Sequence, residues 1–126
     1  MATRAIRGAT SVSANDAREI LQKTGAMVEA AIRANNVRPE DIVSLIFVVT
    51  PDLDAAFPAR AAREMGLVNV PLLDMVSPAV AGAMPRLVRM LLTWNTDLEQ
   101  SAVKHIYLGE AESLRPDWAE IRPGRS

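Results

Sequence analysis

Arginines set at the ends and in the middle of apolar strands are the clearest chemical signal in this chain. Arg89 interrupts the run Leu87-Val88-Arg89-Met90-Leu91-Leu92, Arg7 closes the segment Thr3 to Gly8, and Arg115 follows Ser113-Leu114. A guanidinium keeps its charge at any physiological pH and grips a carboxylate through two parallel N–H bonds. Such groups gathered at the edges of apolar strands suit a pocket for a small organic dianion. Each residue also has an ordinary explanation. The stem of Arg89 can pack while its head pairs with a structural carboxylate or reaches solvent. Arg7, Arg60, Arg63 and Arg115 read individually as solvated surface charges, and arginine at every basic position but Lys23 and Lys104 fits codon bias. Tyr107 reads as a core aromatic or as a hydroxyl donor, His105 as structural, and Asp74 as a turn residue bonding nearby backbone.

Conventional covalent or metal chemistry finds no support. Gly8, Gly66 and Gly82 are isolated, so no phosphate-binding loop is formed. There is no cysteine, and His105 is the only histidine, which excludes thiolate and multi-histidine metal sites. No cofactor is expected. A net charge of −1 gives no global field for a polyanion, so nucleic acid is not an expected partner. With 49% hydrophobic residues the chain is not of the disordered class. The N-terminal MATRAIRGAT lacks the apolar core of a signal peptide, and Leu45-Ile46-Phe47-Val48-Val49 is far too short to span a bilayer. The expectation is a cytoplasmic protein without a membrane partner.

The elements that must hold these residues follow from periodicity. Thr3 to Gly8 reads as a first strand, and Ser13, Asn15 and Asp16 offer caps for an amphipathic helix from Asp16 to about Asn35. That helix would bury Ile20, Thr24, Met27, Val28, Ala31 and Ile32. Pro39-Glu40-Asp41 suits a brief helical turn before a central strand from Ile42 to Thr50. Thr50-Pro51-Asp52 breaks that strand, and Pro58 to Met65 forms a short second helix closed by Gly66, with Arg60 and Arg63 on one face. Val68 to Leu73, Arg86 to Trp94 and Val103 to Leu108 read as further strands, with a loop at Ser77 to Pro85. Alternation puts Leu87, Arg89 and Leu91 on one side of their strand and Val88, Met90, Leu92 and Trp94 on the other. The result is an α/β (α+β) protein: a mixed sheet with one long and one short helix, in a single domain over residues 1–117 with a flexible tail at 118–126. So few helices leave a sheet face open, which invites subunit contact.

The segments IRGAT, TPDLDAAFPARAARE, VPLL, RLVRMLLTWNTD, KHIYLGEA and LRPD, in this order from Arg4 to Asp117, resemble the monofunctional chorismate mutases of the Bacillus type. The resemblance implies a homotrimer of pseudo-barrel form whose interface clefts isomerise the small-molecule substrate chorismate to prephenate without a cofactor. It implies that Arg7 binds a substrate carboxylate, that Arg89 reaches the ether oxygen and a carboxylate, and that Tyr107 adds a hydroxyl. Leu73, Asp74, Met75, Val76 and Ser77 would line the pocket; Phe57, Ala59, Arg60 and Arg63 would come from the neighbouring subunit; Leu114 and Arg115 would close the entrance. The family usually carries glutamate at the position of Ser77 and a small residue or cysteine at that of Asp74. Asp74 is therefore expected to take over the carboxylate's role, on the premise that both positions face the same substrate region. The competing readings are a non-catalytic trimeric binder and a mutase of a related substrate such as isochorismate.

Overall fold

Period-two alternation of apolar residues builds a five-stranded mixed sheet in the computed structural model, which describes residues 1–115. The strands are β1 (Ala2–Ser11), β2 (Ile42–Val49), β3 (Leu72–Val76), β4 (Leu87–Thr96) and β5 (Ile106–Leu108), and the helices are α1 (Ala17–Ala34) and α2 (Ala59–Glu64). The spatial order is β3-β2-β4-β1-β5. β4 runs antiparallel to β1 and β2, while the β2/β3 and β1/β5 pairs are parallel. The tail expected beyond residue 117 lies outside the described residues. Among those described, no helix is long and apolar enough to cross a membrane.

The start of α1 is fixed by short polar side chains, as its sequence suggests. The Asp16 carboxylate accepts the Glu19 N–H at 2.9 Å, and Glu19 reaches back to the Ser13 N–H at 2.8 Å, a reciprocal cap for donors that lack helical partners. These bonds from Ser13 hold the Glu19 carboxyl below its ordinary pKa. The helix buries Ile20, Thr24, Met27, Val28 and Ala31 against the sheet, with Ile32 only partly covered. Close approach is possible because Gly8 has no side chain: a Cβ there would lie 2.8 Å from Met90 Cε and 3.2 Å from Met27 Sδ.

The bounds of β3, β5 and β4 depart from expectation. Instead of Val68 to Leu73, β3 spans Leu72–Val76. After α2, Gly66 adopts φ +98° and the Leu67 N–H returns to the Ala62 carbonyl at 3.1 Å, so helix closure consumes this stretch despite its β-branched residues. Pro71 then has no N–H to give, although its carbonyl accepts Leu45 N–H at 3.0 Å and delivers the chain into register. Similarly, β5 begins at Ile106 rather than Val103. Asn35 takes the place of a neighbouring strand for Lys104, accepting its N–H at 2.8 Å and donating to its carbonyl at 2.9 Å. Arg86, expected to open β4, has φ 52° and belongs to the preceding turn.

Candidate active site

Residues directly opposed on neighbouring strands point to the same face of a sheet, so the register assigns each expected site residue to a side. Met75, Val48, Arg89, Ala9 and Tyr107 form one continuous row, and Leu73, Ile46, Leu91 and Arg7 form the next on the same face. This face is turned away from the helices. Leu73 is 54% exposed, Met75 49% and Leu91 39%, so around β3 and the middle of β4 this face is an open apolar surface among the described residues, whereas Ala9 and Tyr107 at its other end pack against Ala111 and Leu114. The opposite face carries Asp74, Phe47, Met90, Gly8 and Ile106, and packs under α1 and α2.

Arg7, Arg89 and Tyr107 thus share the open face, as their positions in the sequence require. Arg89 is half-buried, and its Nε is enclosed without a hydrogen-bond acceptor among the described residues. A guanidinium N–H withdrawn from water and left unpaired is costly, unless a ligand supplies the acceptor. Arg89 lines a cleft of about 510 Å³ together with Ser77, Met84 and the turn at Thr50, Pro51 and Asp52. Tyr107 is fully buried in a small cluster with Ala9, Leu87 and Ala111, against which Leu114 packs; half-buried Arg115 follows at the same end. Arg7 is held from behind: its backbone N–H donates to His105 Nδ1 at 3.0 Å. His105 therefore has a structural role, in keeping with its reading from sequence, and its Nδ1 must be unprotonated to accept this bond.

Of the remaining expected residues, Phe57, Asp74, Met75 and Val76 line a second cleft, of about 470 Å³, together with Pro58. Phe57 is 71% exposed at its lip. Ala59 is buried, while Arg60 and Arg63 project outward from α2, Arg60 pairing with Glu64 at 3.4 Å. Asp74 ties β3 to this helix by accepting the Ala59 N–H at 3.0 Å. Burial pushes the Asp74 carboxyl above its ordinary pKa, opposed by that N–H and by the nearby charge of Arg63.

The premise that Asp74 and Ser77 face one region does not hold within a single chain. Three residues is an odd offset, which reverses the face along extended backbone. Ser77 lines the Arg89 cleft, whereas Asp74 stands on the helix side. Thr50-Pro51-Asp52 does more than stop the strand. Here Thr50 Oγ1 accepts the Leu87 N–H at 3.0 Å and the Asp52 carboxylate accepts the Arg86 N–H at 3.0 Å, so this turn anchors the start of β4 and walls the cleft. A hydroxyl and a carboxylate two residues apart after a strand were the available signal, since both residue types bind local backbone in turns.

The family described as chorismate mutase type I matches residues 3–118. Chorismate mutase AroH of Thermus thermophilus is 44% identical over 115 residues, covering 90% of this chain and 94% of its own. Chorismate mutase AroH of Bacillus subtilis strain 168 is 42% identical over 118 residues, covering 93% of each. A solved chorismate mutase from Clostridium thermocellum superposes with a TM-score of 0.85 at 43% identity, over 86% of this chain and 97% of that one. With a shared profile, shared sequence over nearly the full length and a shared fold, the chain belongs to the type I chorismate mutase family.

Proposed function

We propose that this protein catalyses the cofactor-free rearrangement of chorismate to prephenate in clefts between the subunits of a homotrimer. The observation that carries the reading is Arg89, whose Nε is enclosed in a strand of apolar neighbours with no acceptor among the described residues. The reaction is intramolecular and pericyclic, so it needs no nucleophile or proton shuttle. The site has two physical tasks: to hold a flexible dicarboxylate in its compact chair-like form, and to place fixed positive charge where the breaking carbon–oxygen bond leaves negative charge.

On this reading Arg7 binds a substrate carboxylate and Arg89 meets the ether oxygen and a carboxylate, with Tyr107 adding its hydroxyl. Leu73, Met75, Val76 and Ser77 line the pocket, Leu114 and Arg115 close its entrance, and Phe57, Ala59, Arg60 and Arg63 reach in from a neighbouring subunit. Support for assembly comes from the uncovered face around Leu73, Met75 and Leu91 and from the separation of the Arg89 and Phe57 groups into two clefts. A dry, low-polarity wall strengthens the field of Arg89 at the ether oxygen, since charge interactions are less screened there. The test is to follow the loss of chorismate absorbance with purified protein and identify the product. Prephenate accumulating in proportion to enzyme is expected; chorismate bound but unchanged would mean a binding protein instead.

A further inference from the structure

Resting on that reading, we infer that Thr50 is a positioning residue that keeps Arg89 available to the substrate. Its hydroxyl, together with the Arg86 N–H, detains the Asp52 carboxylate, which would otherwise pair with the guanidinium. The observation behind this is a cleft that holds opposite charges without joining them. Asp52 and Arg89 are the only charged side chains among the described residues that line it, yet no ion pair links them there, and the Arg89 Nε is left without an acceptor. A carboxylate and a guanidinium sharing a small cleft attract each other, the more so where apolar walls limit screening.

The Asp52 carboxylate is occupied elsewhere. Thr50 Oγ1 donates to its Oδ1 at 2.5 Å, and the Arg86 N–H donates to its Oδ2 at 3.0 Å. Both bonds have a cause in the chain. Arg86 turns out of the β4 ladder at φ 52°, and Asp52 meets the N–H that this turn presents. Thr50, buried just past the end of β2, accepts the Leu87 N–H at 3.0 Å, which leaves its single hydroxyl proton for Asp52. Pro51 stands between the two and fixes its own φ, which holds the acid close to that hydroxyl. Hydrogen bonds from a hydroxyl to an ionised oxygen are among the strong ones. Anchoring of β4 and restraint of Asp52 are therefore one arrangement. Without the Thr50 hydroxyl the exposed carboxylate is free to turn toward Arg89, where it neutralises the guanidinium and repels an anionic ligand from the cleft.

Valine keeps the shape of Thr50 and removes its hydroxyl. Thr50→Val should raise KM for chorismate roughly threefold to tenfold with kcat largely retained, because Asp52 then competes for Arg89 until the substrate saturates it. The deciding protein combines Thr50→Val with Asp52→Asn: an amide cannot form the ion pair, so the second substitution brings KM back toward the wild-type value. A merely structural anchor gives the opposite, a double variant no better than Thr50→Val. That result, or an unchanged KM in Thr50→Val, would overturn the inference. Should melting curves show that Thr50→Val does not fold, Asp52→Glu and Asp52→Gln decide, since they lengthen an exposed side chain equally and differ in charge. A higher KM for the glutamate variant supports the restraint, and equal values overturn it. A wild-type protein that makes no prephenate fails the functional reading itself; the same ranking, read as Kd for chorismate by calorimetry, then decides the inference separately.

Discussion

Asp74 and Arg89 occupy strands separated only by β2, yet they point to opposite faces of the sheet, Asp74 aligned with Phe47 and Met90 and Arg89 with Val48 and Ala9. This relationship divides the candidate site into a cationic wall and an acidic wall that one chain cannot bring together.

Mutation should rank the two positions at which an acid can be sought. Removal of a hydrogen bond to a charged group costs about 1.5–3 kcal/mol, so Asp74→Asn should lower kcat/KM by roughly ten- to a hundredfold. Ser77→Ala should change it little. Steady-state kinetics of the two variants provide the check, and the reverse ranking would count against Asp74.

The pH profile carries a sign. Burial raises the pKa of Asp74, so the ionised fraction falls, as pH drops, at a higher pH than for an exposed aspartate. If the ionised form serves the reaction, kcat/KM is flat around pH 7 and declines on the acid side above the ordinary aspartate value. The Asp74→Asn variant should lack this acid limb. A bell centred near neutrality, of the kind a histidine gives, would contradict a mechanism without proton transfer.

Packing of α1 on the sheet depends on Gly8. A methyl group there would lie 2.8 Å from Met90 Cε and 3.2 Å from Met27 Sδ, and overpacking of this kind costs about 1–3 kcal/mol. Gly8→Ala should lower the denaturant midpoint by a corresponding amount; an unchanged midpoint would show that the methionines repack freely.

Asn35 presents a polar counterpart. It is buried and bridges α1 to the segment before β5 through both backbone groups of Lys104. Asn35→Ala strands those groups, at about 1–3 kcal/mol each where water cannot reach them. Thermal melting should show a clear loss of stability, with amide exchange quickened at residues 104–108.

Much of this arrangement is legible in the letters. Asp16 and Glu19 announce the start of α1, and the alternation around Arg89 places it on the face shared with Leu87 and Leu91. What escaped was β3. Its β-branched prelude, Val68 and Val70, was absorbed by closure of α2 and by Pro71, so the strand begins at Leu72. A strand ending at Leu73 would make Asp74 a turn residue; because β3 runs on to Val76, Asp74 lies within it and faces the helix side, opposite to Ser77. The shortening of β5 was hidden for another reason: its first residues bond to Asn35, a partner 69 residues away from Lys104 that no local pattern encodes.

The central claim is that Arg89 stabilises charge developing in the rearrangement, and comparison of chorismate turnover by the wild type and by Arg89→Ala addresses it most directly. Loss of one preorganised donor of this kind lowers kcat by about 10²–10³, and a drop at least that large is the expected result in a variant that still folds and assembles. Turnover near the wild-type rate would contradict the account.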